Sequence, residues 1–143
     1  MARLLTILLT WPVAHLSVAV LTITESTGHQ LARCIRDAPV WTRRRWTNDM
    51  VRRTADAVDD VSRRTGEPVS KMLALIKVES RFNPRDISGR NRDKSRDYGL
   101  TQQNSYYVQT RCRRVLRRRC SRRDLLDPVV SVRLMGATFR ECR

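Results

Sequence analysis

The sequence predicts a mainly α single domain behind an apolar N-terminal segment, and three observations carry that expectation. Aromatic residues make up 6% of the 143, and there are only five Gly and five Pro, which argues against an all-β chain rich in turns. Apolar residues recur at helical spacing, most clearly Val69, Met72, Leu73 and Ile76 at i, i+3, i+4 and i+7. The run from Leu4 to Ile23 contains no Asp, Glu, Lys or Arg and stands apart from the charged remainder.

Residues 1–24 read as a signal peptide or a membrane anchor. Arg3, an apolar stretch to about Leu16, and the small pair Ser17 and Ala19 around Val18 fit a secretory signal cleaved after Ala19. The run is also as long as the ~20 residues that span a bilayer, so an uncleaved anchor stays open. Either way the expectation is an exported protein, periplasmic or extracellular, touching membrane only through this segment. Residues 25–30 are polar and without periodicity, hence a linker, and 31–143 form the domain.

Within the domain, Met50, Ala55, Ala57, Val58 and Val61 predict a helix over Asp49–Arg64, stopped by Thr65-Gly66-Glu67-Pro68. The next helix spans Pro68–Ser80, with Pro68 suited to the first turn. Glu79 and Ser80 continue its apolar stripe, so Glu79 is expected to point to the buried side near the helix C-terminus, before Asn83-Pro84 ends the run. Arg85–Asp97 has loop composition, compatible with short strands. Further helices are expected over Tyr106–Leu116 and over Pro128–Phe139, where Val129, Val132 and Met135 share a face.

The four cysteines, Cys34, Cys112, Cys120 and Cys142, all follow the apolar segment, which suggests two disulfides in an oxidising compartment. Of the three pairings the preferred one is Cys112 with Cys120 across a short loop and Cys34 with Cys142 across the domain. Zinc is disfavoured: there is no C-x-x-C pair, and His15 and His29 both precede Cys34. A formal net charge of +15 favours polyanionic partners. Arg111, Arg113, Arg114, Arg117, Arg118, Arg119, Arg122 and Arg123 form either a polyanion-binding patch or a solvated face. No interleaved aromatics accompany them, so no specific nucleic acid is expected.

Glu79 is the residue that points to chemistry. Partial burial and the negative end of the helix dipole would both raise its pKa, and a carboxyl kept protonated can serve as a general acid at a glycosidic oxygen. Taken alone, a Glu near a helix end is more often a solvated or salt-bridged residue.

The surrounding residues narrow the choice. Glu79-Ser80-Arg81-Phe82-Asn83-Pro84, with Ser88, then Ser95-Arg96-Asp97-Tyr98-Gly99-Leu100-Thr101-Gln102-Gln103-Asn104, and later Leu125-Leu126-Asp127-Pro128 with Gly136-Ala137, resemble the lytic transglycosylase and lysozyme superfamily. The likeness covers roughly Ala57 to Phe139 and is nearest to the small specialised transglycosylases of type III and type IV secretion, conjugation and phage. It implies a lysozyme-like fold of the goose-type and transglycosylase kind, action on peptidoglycan glycan strands, and no metal or organic cofactor. It implies Glu79 as catalytic acid and base, Gln102 lining the sugar cleft, Ser88 near the reacting sugar, and Gly99 letting backbone approach the substrate. Thr101 and Gln103 depart from the Met and Ile usual at these places, which bears on packing of the cleft. The implied reaction leaves a 1,6-anhydro sugar and serves local wall opening by a secretion, conjugation or phage apparatus.

Asp97 leaves a fork. It is either a cap of the turn at Tyr98-Gly99 or a second carboxylate, in which case the enzyme is a hydrolytic muramidase. A cationic envelope- or nucleic-acid-binding protein with an idle Glu79 is the reading of another class. Trp41 and Trp46 either stack on sugars or belong to the core. Of Tyr106 and Tyr107, one is expected in the cleft, Tyr107 being assigned to substrate, and the other in the core.

Overall fold

A computed structural model describes residues 25–142, so the expected signal or anchor at 1–24 lies outside the described residues. The first helix, α1 (Thr27–Arg36), begins inside the span expected to be a linker. The Ser26 hydroxyl accepts from His29 N at 3.3 Å, and Thr27, Leu31 and Ile35 form a buried face at intervals of four. The Thr27 hydroxyl donates to Asp59, which is how a polar residue enters a buried face and why periodicity of apolar residues overlooked it.

A four-residue α2 (Val40–Arg43) leads to α3 (Asn48–Thr65), close to the span expected from periodicity. Thr47 caps its start by accepting from Met50 N at 3.2 Å, and Gly66 ends it in the left-handed region at φ 70°. After Pro68 comes α4 (Val69–Ser80), followed by β1 (Asp97–Tyr98), β2 (Gln103–Asn104), α5 (Val108–Leu116), α6 (Arg122–Leu125) and α7 (Pro128–Glu141). Asp127 caps α7 by accepting from Val129 N at 2.8 Å and Val130 N at 3.1 Å, and Pro128 stands at the first helical position.

The helix α3 packs against α1, α4 and α7, and Val58, Met72, Ile76, Leu100 and Val132 are fully buried in the resulting core. A second apolar cluster, Val108, Cys112, Cys120, Leu125 and Leu134, fastens α5 and α6 to α7. The strands pair antiparallel, Asp97 with Asn104 and Tyr98 with Gln103, in a short hairpin beside the C-terminal end of α4. The fold is mainly helical, and no described helix is long and apolar enough to cross a membrane.

Candidate active site

The last turn of α4 sets the position of Glu79. Ser80, which follows it, is buried, and its hydroxyl contacts two carbonyl oxygens, Leu100 O at 2.7 Å and Ile76 O at 3.2 Å. Arg81 and Phe82 then turn the chain through the left-handed region at φ 50° and 62°, a conformation that costs a non-glycine residue on the order of 1 kcal/mol. Several contacts hold this turn. Phe82 is buried and its carbonyl accepts from Trp46 Nε1 at 2.9 Å. Buried Asn83 donates its backbone N–H to Ser80 O at 2.9 Å, while its Oδ1 accepts from Arg45 Nη1 at 2.8 Å and Arg85 N at 3.1 Å. Trp46 is therefore a clamp on the turn after Glu79, packed against the core. Trp41 is exposed, with the Arg45 guanidinium 5.7 Å from its ring centroid.

The hairpin holds Asp97 by side chains on both sides. Asn104 Nδ2 donates to Oδ1 at 2.8 Å, and Asn91 Nδ2 donates to Oδ2 at 3.2 Å. Ser88 Oγ accepts from Asp97 N at 2.8 Å and lies 3.4 Å from Oδ2. The expected cap at Tyr98-Gly99 is not formed: Gly99 N donates to Asp86 O at 2.8 Å instead. Ser88 thus belongs to the Asp97 support.

Gly99 has φ +75°, and a Cβ built there would lie 2.0 Å from Leu125 O. What its missing side chain admits is the backbone of α6, where the resemblance implied approach of a substrate. Gln102, also left-handed at φ 46°, folds its amide back to donate to Gly99 O at 2.9 Å, so in this structure it closes the hairpin turn.

Glu79 departs from the expected orientation. It is exposed, and Ser80, next in the stripe, takes the buried place. Its carboxyl makes no hydrogen bond or ion pair with a described residue. Its pKa is nonetheless raised, first by the desolvation its partial burial imposes and second by the negative charge of Asp97. That second cause is one the sequence reading did not contain.

Thr101 and Gln103, where Met and Ile are usual, are both buried and satisfy each other. Gln103 Nε2 donates to Thr101 Oγ1 at 2.9 Å, and Thr101 meets buried Ser131 of α7 through N–H to Oγ at 3.0 Å and Oγ1 to the carbonyl at 2.9 Å. The polar pair is thus a matched exchange, legible only once Ser131 is known to face it. Tyr106 and Tyr107 are both exposed, edge to face at 4.9 Å between centroids, so neither is in the core; the Arg111 guanidinium lies 5.9 Å from the centre of the Tyr107 ring. Asn91, Asn104 and Ser80 are site residues that sequence reasoning missed. The pairing of Asn104 with Asp97 across the hairpin is visible only in the structure.

Cys112 and Cys120 are joined, with Cα atoms 5.9 Å apart. The expected bridge between Cys34 and Cys142 is corrected: both are free thiols. Cys34 borders a groove with Lys77, Val78 and Arg81 at the end of α4, whereas Cys142 follows Glu141, whose carboxylate pairs with Arg111 and Arg114 of α5 at 3.0 Å each. The two cysteines thus have different neighbours. In the arginine segment Arg118 pairs with Asp124 at 2.7 Å, Arg122 sits 5.6 Å from the Tyr98 ring centroid, and Arg113, Arg117, Arg119 and Arg123 form no ion pair with a described residue. Among the described residues no group of three His, Cys, Asp or Glu side chains is placed to hold a metal.

The candidate site thus joins a carboxyl of raised proton affinity, without a partner among the described residues, to the charge of a carboxylate held by hydrogen bonds in the hairpin. Residues 56–140 match the family model described as Transglycosylase SLT domain. No curated protein matches the chain, and no solved structure does.

Proposed function

The chain belongs to the transglycosylase SLT family, with a lysozyme-like domain and a glycan-cleaving activity on peptidoglycan, and from that premise we propose that it is a lytic transglycosylase whose acid and base is Glu79. The observation that supports this is the contrast between two carboxyls. Glu79 has no hydrogen-bond partner among the described residues and holds its proton more tightly than an ordinary Glu, while both oxygens of Asp97 are taken up by donors. A carboxyl of raised proton affinity beside one held by hydrogen bonds is suited to serve as the acid of the pair.

On this reading Glu79 gives its proton to the oxygen linking N-acetylmuramic acid to N-acetylglucosamine. The acetamido carbonyl oxygen of the muramic residue attacks its own C1 as that bond breaks. Glu79, now a carboxylate, takes the proton of the C6 hydroxyl, whose oxygen displaces the acetamido oxygen at C1. No water is consumed, and a 1,6-anhydro sugar results. The neighbouring negative charge of Asp97 favours the cationic transition state. We extend the proposal to an exported, periplasmic or extracellular enzyme opening the wall locally for a secretion, conjugation or phage apparatus, supported by the apolar run Leu4–Ile23 and the family likeness.

The proximity of Asp97 also favours a second reading, a hydrolytic muramidase in which water is the acceptor. Mass spectrometry of digested sacculi separates the two: the transglycosylase leaves products one water lighter than the hydrolase. Reducing-end products alone would overturn the first reading. Glu79→Gln should lower the rate by about two to four orders of magnitude. Undiminished cleavage by that variant would leave Glu79 idle.

A further inference from the structure

Away from Glu79, a groove of about 420 Å³ lies between the turn at Pro84-Arg85 and the junction of α6 with α7. We propose that this groove binds the peptide stem of the peptidoglycan strand through the stem's carboxylates, an inference that rests on the peptidoglycan reading above.

The groove is chemically two-sided. Pro84, Leu126 and Pro128 give it an apolar floor, and Arg53, Arg85 and Arg123 supply three guanidinium groups. Arg85 and Arg123 make no ion pair with a described residue. Arg53 has only a 3.6 Å contact with Asp49, whose carboxylate already pairs with Arg52 at 2.8 Å. The acidic side chain in the groove, Asp127, is committed elsewhere, since its Oδ1 accepts from two N–H groups at the start of α7. Three guanidinium groups therefore outweigh the one carboxylate of the lining, beside an apolar surface. That combination suits a short peptide carrying carboxylates and methyl groups, and guanidinium groups bind carboxylates in a paired geometry. A nucleic acid would call for a longer basic track with stacking aromatics.

Both walls of the groove are also parts that build the candidate site. The turn carrying Pro84 and Arg85 is bonded to the end of α4 through Asn83 N to Ser80 O at 2.9 Å. The other wall, α6, touches the hairpin at Gly99 and lays Arg122 over Tyr98, the residue after Asp97. The groove is therefore tied to the candidate site through elements that the two share.

The test is binding of the full chain to intact sacculi and to sacculi stripped of stems by an amidase, with released glycan analysed in the same samples. Stem removal should weaken wild-type binding roughly tenfold, the sum of two or three exposed charge pairs. Arg85→Gln with Arg123→Gln should bring binding of intact sacculi down to the stripped level and leave stripped sacculi unaffected. Equal weakening on both, or no weakening, overturns the proposal. The comparison of intact with stripped sacculi uses wild type alone and so is an arm independent of variant folding, and equal binding to the two overturns the proposal. So does arginine-dependent binding to phosphatidylglycerol vesicles without any stem dependence. Stem-dependent binding without glycan release would instead sink the cleavage reading and leave the groove assignment standing.

Discussion

The carboxylate of Asp97 raises the proton affinity of Glu79, second only to the effect of burial. The two residues come from different elements, Glu79 from the last turn of α4 and Asp97 from β1, and Ser80 joins those elements by donating to Leu100 O at 2.7 Å. The relation is therefore built by backbone-directed hydrogen bonds and does not depend on any contact made by the Glu79 side chain itself. Asp97 contributes its charge from a fixed place, since Asn91 and Asn104 bind its two oxygens.

Asp97→Asn should consequently shift the pH profile as well as weaken the hairpin. Glu79 acts as an acid while protonated, so activity is lost as pH rises through its raised pKa. Removing the neighbouring charge moves that pKa down, toward the ordinary Glu value, and the alkaline limb of kcat/KM should move to lower pH. The amide cannot accept from both asparagines, because its NH2 would face one of their donors, and that loss should cost about 1–3 kcal/mol in thermal unfolding. A pH profile identical to wild type would remove Asp97 from the electrostatics of Glu79.

How much of this was legible in the sequence depended on what carries each feature. The helices α3, α4, α5 and α7 declare themselves through apolar spacing, which is a local property. The first turn of α1 does not, because its buried face opens with Thr27, made tolerable by a hydroxyl bond to Asp59 from another helix. Glu79 could be singled out from its neighbours in sequence, but its exposure could not, since that depends on which residue of the last turn the hairpin covers, and Leu100 O receives Ser80. The roles of Asn91 and Asn104 depend on a hairpin of two residues per strand, too short to leave a period. Thr101 and Gln103 looked like departures until Ser131 supplied their third partner from 30 residues away.

The cysteines give a prediction that separates the expected pairing from the observed one. Alkylation without reductant should label two thiols per chain, and Cys142 should react faster than Cys34. Cys142 is exposed, whereas burial pushes the Cys34 thiol up in pKa and lowers its thiolate fraction at a given pH. Cys112→Ser should lower stability by about 2–3 kcal/mol, the loop closed by Cys112 and Cys120 being short, while Cys142→Ser should leave thermal unfolding unchanged. A chain with no alkylatable thiol would restore the Cys34 to Cys142 bridge.

Gly99→Ala should separate the hairpin from α6. The added Cβ would lie 2.0 Å from Leu125 O, and that oxygen is backbone, unable to swing aside as a side-chain end would. The residue must also keep φ near +75°, which by itself costs an alanine on the order of 1 kcal/mol, so the whole substitution should cost more than about 2 kcal/mol. Because Gly99 leads into Leu100, whose carbonyl receives Ser80, relief of the clash moves the end of α4 relative to Asp97. Cleavage of glycan should therefore fall further than the fraction unfolded accounts for. Gly89→Ala is the control, since a Cβ there meets nothing within 4 Å and should change neither melting nor activity. If Gly99→Ala melted with wild type, the close approach of α6 to the hairpin would be wrong.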